Sequence, residues 1–364
     1  MPFAQSRLVS PLEIQPELTR IWDELQSKNK MRASLFNLIF YTPKSQRTDY
    51  IHSIAEKVIE RFPSRIIFIT ADNETKDDFL QTGVSVIPAG QFDIVCDLIQ
   101  IDVSQKNKAK VPFLILPHFL TDLPIYVIWA DDPSKDDALL NQFEKMADRL
   151  IFDSECCKSL PEFAKTLIKI SANCAIADLN WARMESWRNL LSSTFYSEER
   201  LADLKKTDTI QLFYNKRTTA SYCHTPFQSL FLQGWIAGQL DWKLTSVRNS
   251  QDDYFIEYQR PGGKVQVALY PENYDTIQAG AIVSVELITE DQVHFSFGRD
   301  LTSPHQISMR FSTLEKCTIP LKYLFAKAES GQSLVKEISH KGTSSHYLKL
   351  LNLLQTDEFK NILS

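Results

Sequence analysis

The sequence predicts an α/β protein of two domains. The N-terminal domain is expected to be a layered α/β domain with a mainly parallel or mixed sheet, because strand-like apolar runs alternate there with amphipathic helical segments. The C-terminal domain is expected to be an α+β domain with a largely antiparallel sheet, because short strand-like runs follow one another with turn residues between them. The polar segment 197–206 is typical of a boundary, so we expect domains at 1–200 and 207–364.

Hydrophobic periodicity predicts the elements of the first half. Residues 1–15 are expected to form an extended arm, because Pro11 and Pro16 restrict helix formation. Residues 109–120 fit either a strand or a helix broken by Pro117, and we favour the helix. The other predicted helices are 17–30, 49–61, 138–147, 160–171 and 181–194, and the predicted strands are 33–42, 65–70, 84–88, 92–103, 124–129 and 149–152.

The second half changes character. It begins with a strand at 209–214 and a long apolar helix at 225–240, whose two small residues four apart indicate close helix packing. Turn residues at 261–263 and 290–291 predict hairpins. The remaining predicted strands are 254–258, 265–270, 281–289, 293–298 and 306–311, and the predicted helices are 320–328 and 345–354, the latter followed by a further helical turn.

Composition excludes several classes of protein. The 364 residues are 43% hydrophobic and 23% charged, and the net charge is −5. A nucleic-acid partner is not expected, because it needs a clustered positive face. A membrane partner is not expected either, since no apolar run approaches the roughly 18 residues of a spanning helix. No apolar leader follows the first residues, so we expect a cytoplasmic protein.

The six cysteines show no Cys-x-x-C spacing, so neither a zinc ribbon nor a thioredoxin-type redox centre is predicted. In a reducing compartment they are expected to be thiols, several of them buried. Cys156 and Cys157 are neighbours, and a disulfide between neighbours would be strained. They are expected to be buried thiols, with a redox role as the alternative.

The sequence contains no recognisable reaction centre. Its ten glycines do not cluster, so no phosphate-binding turn is predicted. No nucleophile elbow and no paired-histidine metal motif occurs. Asp131 and Asp132 follow a predicted strand, where α/β proteins place ligands, but we favour ordinary turn and cap chemistry as their role. We therefore expect no catalytic residue, cofactor or metal.

The helix predicted after Asn180 carries Trp181, Arg183, Trp187 and Arg188. Tryptophan and arginine are enriched where proteins bind proteins. The arginines could also grip a phosphate or carboxylate. From residue types alone we favour a structural role, in which the helix buries both tryptophans between the two domains and its arginines pair with acidic neighbours.

Four sequence blocks stand in a characteristic order. They are the segment 34–70 with Pro-Ser-Arg-Ile, the segment 112–130 ending in Leu-Pro-Ile-Tyr-Val-Ile-Trp, the block 178–188 with Asp-Leu-Asn-Trp-Ala-Arg and Trp-Arg, and the helix 230–242. Together they resemble the glucose-6-phosphate dehydrogenase assembly protein family (OpcA). The residues that carry the blocks, and are therefore partner-binding candidates, are Arg65, Trp129, Trp181, Arg183, Trp187 and Arg188.

The resemblance implies a non-catalytic protein that binds glucose-6-phosphate dehydrogenase and favours its active oligomer. It also implies thioredoxin as a further partner, with Cys156 and Cys157 as the redox candidates. Two alternatives stay open. One is a sensor or enzyme that binds a sugar phosphate in the α/β domain, with arginines and the acidic segment after Trp129. The other is a purely structural subunit of a larger complex.

Overall fold

The computed structural model describes residues 6–90, 93–325, 332–340 and 342–363. It confirms the predicted fold class, with a mixed, mainly parallel sheet in the N-terminal half and a largely antiparallel sheet in the C-terminal half. The chain forms two compact units. The first contains residues 1–157, 169–179 and 329–343, and the second contains residues 158–168, 180–328 and 344–364. The domain bounds 1–200 and 207–364 stay a prediction.

The strands and helices are numbered along the chain. The strands are β1 (Arg7–Val9), β2 (Met31–Arg32), β3 (Asn37–Pro43), β4 (Arg65–Asp72), β5 (Leu80–Ala89), β6 (Ile94–Ser104), β7 (Ile125–Trp129), β8 (Arg149–Phe152), β9 (Ala175–Asp178), β10 (Thr207–Asn215), β11 (Lys243–Ser250), β12 (Asp253–Arg260), β13 (Gly263–Glu272), β14 (Ile282–Thr289), β15 (His294–Arg299), β16 (Gln306–Ser312) and β17 (Leu321–Leu324). The α-helices are α1 (Ile14–Gln26), α2 (Thr48–Arg61), α3 (Val111–Ile115), α4 (Ala138–Met146), α5 (Leu160–Ile170), α6 (Leu179–Arg183), α7 (Glu185–Thr194), α8 (Glu198–Lys205), α9 (Phe227–Gln239), α10 (Gln332–Ser339) and α11 (Ser345–Leu354).

The sheet of the first unit is built around six parallel strands in the order β6-β4-β3-β7-β8-β9. Strands β5 and β1 extend it in antiparallel pairing, and the short β2 pairs with β6. The chain moves outward from β3 to β4 and β6, then returns to β7 on the other side of β3. The direction of winding therefore switches between β3 and β7, where open α/β sheets leave a crevice at the carboxyl ends of the strands.

The apolar runs that predicted β3 and β4 are explained by burial. Four of the seven residues of β3 are hydrophobic or aromatic, and one face of the strand shares a core with Ile51, Ile54 and Val58 of helix α2, all at most 1% exposed. Helix α10 adds Leu334 and Ile338 to the same core. Each such side chain contributes about 1.5–3 kcal/mol when it leaves water, so this core stabilises the first unit.

The sheet of the second unit has the order β11-β12-β13-β10-β14-β15-β16-β17. All neighbours are antiparallel except β10 and β13. Helix α9 is buried over most of its length and packs against α11. At Gly234 a side-chain Cβ would meet Leu350 Cδ1 at 2.6 Å, so a larger residue would force this leucine side chain to move. The small residues of the helix therefore serve packing, as predicted.

One predicted helix is wrong. Residues 320–328 were expected to be helical, but Leu321–Leu324 forms the edge strand β17, paired with β16. Residues 326–328 lie outside the described residues. The four residues of β17 are of mixed polarity and favour neither a helix nor a strand strongly. The pairing with β16 makes them a strand. The region 109–120 is helical as favoured, as α3 flanked by short 3₁₀ turns.

Other differences concern boundaries and short elements. The helix predicted at 181–194 is two helices, because the backbone of Met184 leaves the helical region (φ −88°, ψ 0°) between α6 and α7. The expected boundary segment 197–206 contains α8, capped by the Ser197 side chain. The predicted arm at 1–15 includes β1 and the start of α1, and Phe92 of the strand predicted at 92–103 lies outside the described residues. Strands β2, β9 and β11 and helix α10 were not predicted.

Candidate functional site

The carboxyl edge of the parallel sheet in the first unit gathers a group of charged side chains, which we call the carboxyl-edge cluster. Asp131 and Asp132 follow β7 and Asp153 follows β8. Arg47 is the N-terminal cap residue of α2, and Lys135 lies in the loop before α4. The cluster therefore stands at the point where the winding of the sheet switches, the usual ligand position in this architecture.

Each cation of the cluster is paired with a carboxylate of the same chain. Arg47 contacts Asp153, whose side chain is fully buried, and Lys135 contacts Asp131 at 2.9 Å. Asp132 accepts the Ser134 hydroxyl at 2.6 Å in a turn. Since β7 lies between β3 and β8, the ion pair between Arg47 and Asp153 joins the turn after β3 to the residue that follows β8, two strands away. The crevice is thus crossed by an internal ion pair.

The redox candidates follow Asp153. Cys157 is 1% exposed and Cys156 is partly buried. Burial raises the pKa of the Cys156 thiol well above its usual value, and the Asp153 carboxylate adds to this. Burial likewise raises the pKa of Cys157, with Asp132 nearby. Both side chains are therefore protonated thiols at neutral pH, which is the less reactive form.

Two partner-binding candidates lie inside the first unit. The Trp129 ring, 1% exposed, stacks on the Tyr41 ring with centroids 3.9 Å apart. Arg65 is 3% exposed and donates to the fully buried Asp97 at 2.5 and 2.8 Å. Asp97 also accepts from Trp22 at 2.6 Å. These contacts give both residues a role in holding the sheet together.

The other four candidates lie in the second unit on α6 and α7. Trp181, 3% exposed, packs on the Tyr347 ring at 5.2 Å, and the Arg188 guanidinium lies 3.6 Å from the centre of the Trp181 ring. Arg183 donates to Asn180 at 2.6 Å. The structure thus brings Trp181 and Arg188 together. Both arginines are partly exposed, so they are the members of this block that a partner could reach.

A cavity of about 320 Å³ lies next to the remaining candidate, Trp187, and we call it the arginine cavity. Arg183, Trp187 and Arg299, the last at the end of β15, are among the residues that line it. Sequence reasoning missed Arg299, because a single arginine at the end of a strand carries no motif. Among the described residues, no group of three or more potential ligands could hold a metal ion.

The fold and these sites define a two-unit α/β protein whose sequence can now be compared with known families. Residues 55–170 match a family described as the glucose-6-phosphate dehydrogenase subunit N-terminal domain. Residues 174–347 match the corresponding C-terminal domain. Since the matches cover most of the chain, the protein belongs to this family, as the sequence blocks predicted.

Curated relatives support the assignment. The chain is 28% identical over 205 residues to a protein of Synechococcus elongatus and 29% identical over 199 residues to one of Synechocystis, both named "Putative OxPP cycle protein OpcA". These matches cover 54% and 53% of this chain but only 44% and 40% of the relatives. The matched segment therefore spans less than half of the length of these relatives.

Among solved structures, levoglucosan dehydrogenase in complex with NADH and L-sorbose has a TM-score of 0.53, with 91% of this chain and 98% of that chain covered. At 10% identity the similarity concerns the fold alone. A dinucleotide would need a glycine-rich turn after β3. The turn here is Lys44-Ser45-Gln46-Arg47, and Arg47 is held by Asp153. These residues do not fit a dinucleotide. No helix within the described ranges has the length and apolar character needed to cross a membrane.

Proposed function

We propose that this protein is a non-catalytic assembly protein that binds glucose-6-phosphate dehydrogenase and favours its active oligomer, in the cytoplasm. Membership of a family described as subunit domains of that enzyme supports the choice of partner. The observation that carries the non-catalytic part is the ion pair between Arg47 and Asp153. It occupies the edge of the sheet where a dehydrogenase of this fold would hold its cofactor.

An exposed apolar edge supports a protein partner. Strand β17 is the last strand of its sheet, and Leu321 and Leu324 are 53% and 73% exposed on it. Leu314 and Ile319, in the connection from β16, are 84% and 85% exposed. An edge strand that exposes apolar side chains is a candidate for contact with another chain. We propose that this edge contacts a dehydrogenase subunit, with Arg183 and Arg188 as further candidates.

The physical mechanism is linkage. A protein that binds the assembled form of an enzyme more tightly than the other forms shifts the population toward that form. A hundredfold preference corresponds to about 2.7 kcal/mol. Full burial of two leucine side chains contributes on the order of 3–6 kcal/mol, so a single patch such as the β17 edge is sufficient.

The test mixes the purified protein with the dehydrogenase of the same host and measures mass by light scattering and turnover by absorbance. We expect a common elution peak and raised activity. The double variant Leu321→Ser/Leu324→Ser should weaken binding about tenfold or more, because two apolar contacts are lost. The matched control is Leu8→Ser/Leu12→Ser, two leucines of the first unit that are 76% and 92% exposed. Separate elution together with unchanged activity would refute the proposal.

Thioredoxin stays a predicted partner. Cys223 and Cys317 are the exposed thiols of the chain, whereas Cys156 and Cys157 are shielded. We therefore propose that any exchange with thioredoxin begins at one of the exposed thiols. Replacing Cys223 and Cys317 by serine should abolish mixed-disulfide trapping by thioredoxin, and trapping that survives in this variant would contradict the proposal.

A further inference from the structure

The arginine cavity contains a positive charge without a compensating carboxylate. Arg299 donates from Nε to the Ile282 carbonyl and from Nη1 to the Pro304 carbonyl, each at 2.6 Å. Its guanidinium lies 5.5 Å from the Trp187 ring and 5.3 Å from the Phe325 ring. Within the described part of the chain, no carboxylate forms an ion pair with it. Burial accordingly lowers the pKa of Arg299 to about 10.

A shielded guanidinium normally has a carboxylate or phosphate partner, because taking an unpaired charge out of water is costly. The contrast with Arg260 of the same unit is direct. Arg260 is 6% exposed, more deeply buried than the partly buried Arg299, and also donates to a backbone carbonyl, but it pairs with Glu290 at 2.8 Å. The position of Arg299 beside a cavity of about 320 Å³ leaves room for a partner from outside the chain.

Two further side chains on the wall of the cavity favour an anion. Arg183 supplies a second guanidinium, positioned by Asn180 at 2.6 Å and by the Tyr222 ring at 4.8 Å. Trp187 is 1% exposed, and its indole Nε1 has no hydrogen-bond acceptor among the described residues. An indole N–H is a donor only, so an oxygen atom can satisfy it and a cation cannot.

We propose that the arginine cavity binds a small phosphate monoester, with Arg299 and Arg183 on the phosphate oxygens and the apolar part of the wall against the organic group. Two guanidinium groups match the double charge of a phosphate ester and form strong charge-assisted hydrogen bonds. The rings of Trp187 and Phe325 and the side chain of Ile277 form the apolar part of the wall. The volume is at the small end of ligand cavities, which favours a ligand of metabolite size.

The proposal does not depend on the dehydrogenase partner, so the experiment uses the full chain alone. Thermal unfolding and calorimetry are measured at constant ionic strength with inorganic phosphate, glucose 6-phosphate, ribose 5-phosphate, the two free sugars and citrate. We expect both esters to raise the melting temperature and to bind at least tenfold more tightly than inorganic phosphate. The free sugars should have no effect. Absence of any shift with the esters, or equal shifts with esters and free sugars, would overturn the proposal, as would tighter binding of citrate than of the esters.

Variants locate the site. Arg299→Gln and Arg183→Gln should each weaken ester binding tenfold or more, and Arg299→Lys should retain part of the affinity because it keeps the charge. The matched control is Arg200→Gln, since Arg200 also lies over aromatic rings, 4.6 Å from Phe311, but lines no part of the cavity. Even if Arg299→Gln folds poorly, Arg183→Gln tests the site independently. Ester binding that is equally weakened by Arg200→Gln, or unchanged by Arg183→Gln, would refute the assignment.

Discussion

The carboxyl-edge cluster of the first unit and the arginine cavity of the second unit differ in how their cationic side chains are neutralised. At the carboxyl edge, Arg47 and Lys135 each meet a carboxylate of the chain itself. In the arginine cavity, Arg299 meets only backbone carbonyls and aromatic rings among the described residues. A crevice whose charges are neutralised within the chain has little electrostatic attraction for a charged ligand. A cation without a carboxylate partner, next to a cavity, attracts an anion. Whether a crevice binds a ligand therefore depends on the charge balance of its walls and not on its position in the fold alone.

The cysteines also differ between the two units, in their burial and in the pKa of their thiols. Cys96, Cys156, Cys157 and Cys174 lie in the first unit, and burial raises the pKa of each thiol, to about 11 for Cys96 and Cys174. The exposed thiols, Cys223 and Cys317, lie in the second unit.

The largest effect is expected in thiol labelling. At pH 8 a disulfide reagent should modify Cys223 and Cys317 quickly, and the four thiols of the first unit about a thousandfold more slowly, because these must be exposed by local opening and must lose a proton held above its usual pKa. Mass spectrometry of labelled peptides follows each site. Fast modification of Cys156 or Cys157 in the folded protein would show that the carboxyl edge opens readily, and the contrast would fail.

The second largest effect is expected when the ion pair between Arg47 and Asp153 is broken. Asp153→Asn removes the fully buried carboxylate that pairs with the largely buried Arg47 guanidinium, so we expect a loss of about 3–5 kcal/mol in the free energy of unfolding. Urea denaturation measures it. The control is Asp93→Asn, which removes an exposed ion pair with Lys30 and should cost less than about 1 kcal/mol. Equal losses in the two variants would mean that the Arg47–Asp153 pair is solvated.

The corresponding substitution in the arginine cavity should give a smaller loss in the free energy of unfolding. Arg299→Gln removes two hydrogen bonds and the contacts with aromatic rings, but it also removes a cation that has no carboxylate partner among the described residues. The two contributions oppose each other, and we expect the unfolding free energy to fall by less than about 2 kcal/mol in the absence of ligand. Urea denaturation of both variants under one condition makes the comparison. A loss as large as that of Asp153→Asn would show that Arg299 is an ordinary structural arginine.

Local pattern predicted the framework of the fold, and long-range contacts decided the rest. The apolar runs at β3 and β4 are buried whatever surrounds them, so periodicity and the proline before β4 were enough to find them. Strand β17 was missed because only pairing with β16 makes Leu321–Leu324 a strand. Both tryptophans of the block 178–188 were recognised as important, but sequence could not decide between burial and partner contact.

The sites were less predictable than the fold. The Arg47–Asp153 pair joins residues 106 positions apart, and the sequence around either residue contains no pattern that predicts the other. The arginine cavity likewise combines α6, α7 and the end of β15. Arg183 and Trp187 were candidates on the strength of their residue types, whereas Arg299 became visible only when folding placed it beside them without a carboxylate. Composition cannot reveal a charge that lacks a partner.

The smallest effect concerns the pH dependence of the free energy of unfolding. It tests whether the folded first unit disfavours the charged form of a histidine. Burial lowers the pKa of His52 from its ordinary 6.5, and the exposed Asp49 one turn earlier opposes this only in part. The unfolded chain then binds the proton at a higher pH than the folded chain does. The contribution is fully present above pH 6.5 and is lost as the pH falls through and below that value.

Unfolding free energies at pH 7.5, 6.5 and 5.5 should therefore decrease toward acid more steeply for the wild type than for His52→Gln. Asp102, in the same pocket, has a pKa raised by burial and changes stability in the opposite sense as the pH falls, but it is common to both proteins and cancels in the comparison. Parallel pH profiles would mean that the imidazole is charged at no cost in the folded first unit. The first unit would then tolerate a partly buried cation as the arginine cavity does, and the contrast between the two units would not extend beyond the ion pairs themselves.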